Sequence, residues 1–211
     1  MRWHIICTGL AALILTACGG GGGGGGGGGS GIDPRLARLD RYDAQRLMVL
    51  GDVGTGAVGM AVTDPGAMPP TGHAEFEGFA TIRVETAEPL VLYGDANISV
   101  TFNTSEVSGQ MDRFFGTTGS GSAADYAGVL TIDGGTVGGD AANEVQFDYS
   151  GALTATGETL VFDGTAAGNF HGTPVAALSA SDLEAVVMRN GNSVDATLIV
   201  VGETDGVVTA D

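Results

Sequence analysis

The sequence predicts an all-β fold: an eight-stranded antiparallel soluble β-barrel preceded by a short N-terminal helix. Three observations lead there. From His73 onward, side chains alternate apolar and polar with a period of two, the pattern of antiparallel strand with one face buried. Short turn signals, "ETAEP", "NTSE", "TGE" and "RNGN", break the alternation into eight strands at about 73–85, 90–103, 106–115, 126–138, 143–156, 158–171, 183–189 and 193–202. Eight antiparallel strands of this length can close on themselves and so remove their exposed edges. A β-sandwich is the second architecture the same pattern admits.

The inward face can be read strand by strand. Ala74, Phe76, Gly78, Ala80, Ile82 and Val84 share one side of the first strand, and Ala96, Ile98, Val100 and Phe102 one side of the second. Val145, Phe147, Tyr149, Gly151 and Leu153 do the same further on. Phe162, Gly164, Ala166, Gly168 and Phe170 alternate large and small, which suits an eight-stranded interior just wide enough to be filled by side chains. Asn190-Gly191 favours a type I′ hairpin, because both central residues of that turn need positive φ. That outweighs the helix start suggested by Ser181-x-x-Glu184. A barrel spanning a membrane would turn the apolar face to lipid and carry aromatic girdles. Here that face holds glycine and alanine, and only 12 aromatics lie beyond residue 18.

Upstream elements follow in chain order. Arg2, then eleven uncharged residues "IICTGLAALIL" and small residues before Cys18, have the layout of a secretory signal peptide. The apolar run is too short to span a bilayer, which takes roughly 20 residues. Leu15-Thr16-Ala17-Cys18 resembles the lipobox of bacterial lipoproteins. The resemblance implies a diacylglycerol on the Cys18 sulfur, cleavage just before it and acylation of the new amine. Eleven glycines follow, and residues 19–31 hold no side chain that could pack. Such a chain averages about 20 Å end to end and stretches to about 45 Å, which makes it a tether. Residues 32–70 read as a short helix and a Gly/Pro-rich connector. Asp33 caps the helix, Pro34 takes its first position, and Gly51 ends it. Arg38, Arg41 and Arg46 interleave with Asp40 and Asp43 as a solvated face, so the helix needs docking for stability. The barrel domain occupies 71–205, with a tail at 206–211.

Composition prunes the chemistry. Beyond residue 18, seven arginines face 25 carboxylates and there is no lysine. Such acidity excludes nucleic acid as a partner, because phosphate neutralisation needs a basic surface. Without lysine there is no P-loop and no Schiff base. Gly54-Thr55-Gly56-Ala57-Val58-Gly59 matches a dinucleotide fingerprint in letters only, since Pro65, Pro69 and Pro70 stop the helix that must follow. "DGGTVGGD" at 133–140 is one copy of a calcium-repeat-like motif that needs several stacked copies, and reads as a turn with solvated carboxylates. His73 and His171, the two histidines beyond residue 18, sit in no His-Glu-x-x-His motif. No catalytic residue, cofactor or metal site is expected, and the chain reads as a non-enzyme.

Six stretches, "GHAEFEGFA", "LYGDANISVTFNTSEVSGQMDRF", "YAGVLTIDGGTVGG", "FDYSGALTATGETLVFDGTAAGNFHG", "SASDL" and the glycine run after Cys18, resemble bacterial surface lipoproteins with the β-barrel domain of transferrin-binding protein B. The resemblance spans roughly residues 70–205 and covers one small lobe. It implies a lipid-anchored binding protein of the bacterial envelope whose barrel loops engage a macromolecular partner. Gly19 and Gly20, in place of an aspartate, favour the outer membrane by the same likeness. The alternative is a carrier holding a small apolar ligand inside the barrel. The longest unpatterned connection, Gly116 to Tyr126, roots at two adjacent phenylalanines that cannot both face inward. Phe114, Phe115 and Tyr126 are therefore the candidate partner contacts. The second phenylalanine could instead pack beneath the helix.

Overall fold

The computed structural model describes residues 33–118 and 123–208. The signal peptide, Cys18 and the tether at 19–31 lie outside the described residues. The elements run α1 (Pro34–Leu50), β1 (Gly51–Asp52), β2 (Ala57–Val58), a 3₁₀ turn (Pro65–Ala67), β3 (His73–Val84), β4 (Leu90–Thr101), β5 (Glu106–Thr118), β6 (Ala124–Val137), β7 (Glu144–Ala155), β8 (Glu158–His171), β9 (Ala177–Arg189) and β10 (Asn192–Glu203). Strands β3 to β10 pair in chain order, each antiparallel to the next, and β10 closes on β3. The eight-stranded barrel is as expected, and the sandwich is set aside.

Closure is tight because the inner face is graded in size. Phe76, Ile82, Leu92, Ile98, Met111, Leu130, Phe147, Leu160, Phe170 and Leu198 are each at most 1 % exposed. A side chain lining a water-sized void would keep some accessible surface, so the interior is filled. Glycine makes the room. Gly94 on β4 lies beneath the Phe114 ring, where a Cβ would come within 2.5 Å of it. Gly168 on β8 lies against β9, where a Cβ would sit 1.8 Å from the Ser179 carbonyl oxygen. The outer wall carries Glu75, Glu77, Asp148 and Asp163, together with exposed Val129, Val161, Val186 and Met188 across β6, β8 and β9. No helix among the described residues is long and apolar enough to cross a membrane.

The two barrel ends differ. One ends in tight hairpins, including Asn190-Gly191 with φ of 49° and 82°, as the type I′ reading requires. There, inside the wall, Glu158 accepts from the Tyr126 hydroxyl and from the Arg189 guanidinium. The other end is covered by the connector: Met68 packs on the core, and Thr63 donates its amide to the Phe170 carbonyl at 2.9 Å. The Gly54–Gly59 segment falls at the β1–β2 turn, so no helix meets a phosphate there.

Three boundaries differ from the sequence reading. β5 reaches Thr118 and β6 begins at Ala124, which shortens the expected 116–126 loop; residues 119–122 lie outside the described residues. β9 starts at Ala177 rather than 183, because a register shift opposite Ala196–Leu198 interrupts its alternation. The turn expected over 133–140 begins only at Gly138, after β6 ends at Val137; Asp133-Gly134-Gly135 is an irregularity inside β6, where the register against β7 slips between Asp133 and Thr136.

A methyl at Gly168 would meet rigid backbone, whereas one at Gly164 meets the Tyr149 hydroxyl at 2.6 Å. Gly168→Ala should therefore lower stability by about 1–3 kcal/mol, and by more than Gly164→Ala, in thermal denaturation. Asp163→Leu, on the outer wall, should cost less than either.

Candidate functional site, a groove beneath the helix

Helix α1 lies across the outside of the barrel. The Asp33 carboxylate accepts from the Arg35 amide at 3.0 Å, which caps the first turn, and Pro34 occupies its first position. Tyr42 is its buried anchor. The ring meets Phe79 edge-on at 3.8 Å between centroids, with Tyr93 at 5.9 Å and Phe115 at 6.1 Å. These three aromatics point outward from β3, β4 and β5, where a bare wall would expose them. Burying one such side chain contributes about 1.5–3 kcal/mol. Further along, Val49 packs on Ala177 and Val201, with Met60 beside them.

Polar contacts fix the same seam. Asp95 on β4, with a side chain 13 % exposed, pairs with Arg38 Nη2 at 2.7 Å and Arg113 Nη2 at 2.5 Å. The Tyr42 hydroxyl donates to Asp95 Oδ1 at 3.0 Å. Burial, reinforced by the Asp95 charge, holds this phenol well above its ordinary pKa, so it stays a donor. The Arg38 guanidinium also stacks over the Phe115 ring at 5.2 Å and donates to the Arg113 carbonyl at 3.3 Å. Arg113 takes a positive φ of 51°, where the β4–β5 register slips between Tyr93 and Asp95. That irregularity turns Phe114 inward over Gly94 and Phe115 outward under the helix.

Between α1 and the wall of β3, β4 and β10 runs an open groove of about 1010 Å³. Arg38, Arg41 and Arg113 line its β4–β5 side, and Glu77, Glu203 and Asp205 the side toward β10. Arg41 lies 5.9 Å over the Phe79 ring. Gln45 bridges the carboxylate side, donating to the Glu77 carbonyl at 3.1 Å and Glu203 Oε2 at 3.0 Å. Its own Oε1 is buried without a partner. The groove thus presents Arg41 with the Asp95-paired Arg38 and Arg113 at one side, and Glu77, Glu203 and Asp205 at the other. This suits a polar, mixed-charge surface rather than an apolar small molecule.

The expected contact residues fall elsewhere. Phe114 and Phe115 are 2 % and 0 % exposed and Tyr126 is 6 % exposed, so none offers an aromatic to a partner. The packing of Phe115 beneath α1 is the arrangement found, and Tyr126 is used to close a barrel end. Cys18 lies outside the described residues. Sequence reasoning passed over Tyr42, Asp95 and Arg113, and placed Arg38 on a solvated face. The outward phenylalanine beside a helical tyrosine was the available signal.

His171 and Ser179 form a second polar feature, with Nε2 and Oγ at 2.8 Å. A hydroxyl and an imidazole at that distance are two parts of a nucleophile–base pair. Here the ring is 6 % exposed, lies against the connector, and has only the Met60 carbonyl on Nδ1, at 3.3 Å. The pair ties β8, β9 and the connector together. Burial pushes the His171 pKa down from its ordinary value, and the Met60 contact only partly offsets this.

No family model matches the chain, and no curated protein matches it.

Two outcomes follow from this geometry. Asp95→Ala strands two guanidinium groups and a buried phenol, so it should cost about 1–3 kcal/mol and speed amide exchange in α1 ahead of the barrel strands. Combined with Arg38→Ala, the losses should be less than additive in denaturant titration. For His171, the unfolded chain binds a proton more readily than the folded one. Stability attributable to it is complete above about pH 6.5 and is lost as pH falls through the lower folded value. His171→Gln should therefore flatten the fall in melting temperature between pH 7.5 and 5.5 relative to the parent.

Proposed function

We propose that this chain is a non-enzymatic, lipid-anchored binding lipoprotein of the bacterial envelope, held at the outer membrane and engaging a macromolecular partner through the outside of its barrel. The observation that carries the reading is a lipobox-like Leu15-Thr16-Ala17-Cys18, followed at once by eleven glycines and a folded domain. A cysteine there has no disulfide partner beyond residue 18, and acyl chains give such a tether a purpose. Each buried methylene adds about 0.8 kcal/mol, so several chains hold firmly. The likeness to transferrin-binding protein B barrels belongs to this proposal and gives the class of partner, a protein.

The filled interior supports recognition on the outer surface and weighs against the apolar-ligand carrier. The mixed-charge groove under α1 is the surface we assign to the partner, since it combines concavity with exposed carboxylates at Glu77 and Asp205 and the exposed Arg113 guanidinium. An exposed His73–Glu75 pair, Nε2 to Oε1 at 2.6 Å, adds to its polar lining.

Labelled palmitate tests the anchor. The parent chain should incorporate label and sediment with membranes, while Cys18→Ala should lose the label and move to the soluble fraction. Unchanged membrane partition in that variant would overturn the reading.

A further inference from the structure

The most exposed apolar surface is not on the barrel wall. Thirteen large apolar side chains are exposed among the described residues, and six of them, Leu47, Met48, Leu50, Val53, Val58 and Val62, fall within sixteen positions. Val53 and Val58 stand almost fully in solvent, at 102 % and 93 % exposure. They occupy the β1–β2 hairpin at the C-terminal end of α1, which turns at positive-φ Gly56. Residues 47–63 carry a single charge, Asp52, in a chain whose formal net charge is −17. An apolar tip with Asp52 as its one charge, on an otherwise acidic body, marks an interaction site.

We infer that this hairpin dips into the boundary of the same bilayer that holds Cys18, so that the domain touches the membrane at two points. The inference rests on the lipid-anchor reading. Chain length allows it: seventeen helical residues span about 25 Å, and thirteen residues of glycine-rich chain average about 20 Å and reach about 45 Å. Charge selects the face. Carboxylates elsewhere on the body are repelled by anionic headgroups, whereas the hairpin loses little hydration and gains apolar burial. With no lysine or arginine in residues 47–63, the contact is apolar and insensitive to salt.

The test uses the full chain, purified from membranes and reconstituted in phosphatidylcholine vesicles. Val53→Cys, and Ser193→Cys at the hairpin end of the barrel as a control, are labelled with an environment-sensitive fluorophore. One reactive thiol per chain reports a chain cut before an acylated Cys18; two or three report a free Cys18 or a retained Cys7, and remove the anchor reading and this inference together. With one thiol, the inference expects the label at 53 to be blue-shifted and to lose most of its emission to brominated phosphatidylcholine at low and high salt. The label at 193 should stay solvent-like, and Val58→Asp should restore solvent-like emission at 53. A solvent-like label at 53 overturns the inference while leaving the anchor in place. A blue shift without bromine quenching also overturns it, because the tip is then covered by protein, a second copy included.

Discussion

Closing eight strands leaves room inside for side chains and little else, and the remaining features of this domain follow from that limit. Because the interior is spent on packing, with Phe76, Phe147 and Phe170 buried in it, the proposed recognition is assigned to the outside. Because the strands pair all the way round, the barrel itself has no free edge to add a partner strand. What projects from the wall is then decided by two additions, the helix that crosses it and the connector that covers one end.

The helix is also the first described element after the glycine-rich stretch in the sequence. A short list of contacts holds it to the barrel. Arg35 reaches Asp125 at 3.3 Å, Arg38 and Tyr42 share Asp95, and Val49 is buried against Ala177 and Val201. Exposed ion pairs are worth little individually, so the Tyr42 ring and the shielded Asp95 cluster carry the attachment. The same seam shapes the groove. Helix attachment and the proposed partner surface are therefore built from shared residues.

Much of the barrel was legible in the sequence because a period-two pattern with one buried face has few other solutions. Phe162 to Phe170 shows why: alternating large and small residues mean little except on a tapering inner wall. The Asn190-Gly191 hairpin was legible because its backbone demands those residues. Departures came where register slips. The interruption opposite Ala196–Leu198 hid the first half of β9, and Gly134-Gly135 resembled a turn because the same glycine that permits a turn permits a bulge. The groove was far less legible. Asp95 sits in a run, "GDANIS", that gives no sign of a helix lying above it. Arg38 looks solvated in a helical projection because its partners lie 57 and 75 residues away. The phenylalanine pair pointed to the right place with the wrong expectation, since exposure depended on whether α1 covered Phe115.

The central claim is that the interior is full and recognition is external. Calorimetric titration of the full chain with a long-chain fatty acid, watching the amide signals of Phe76 and Phe147 by NMR, tests it most directly. The account predicts no saturable one-to-one uptake and no shift at those inward positions. Stoichiometric uptake accompanied by shifts at Phe76 and Phe147 would show that the barrel opens to hold a ligand, and would contradict it.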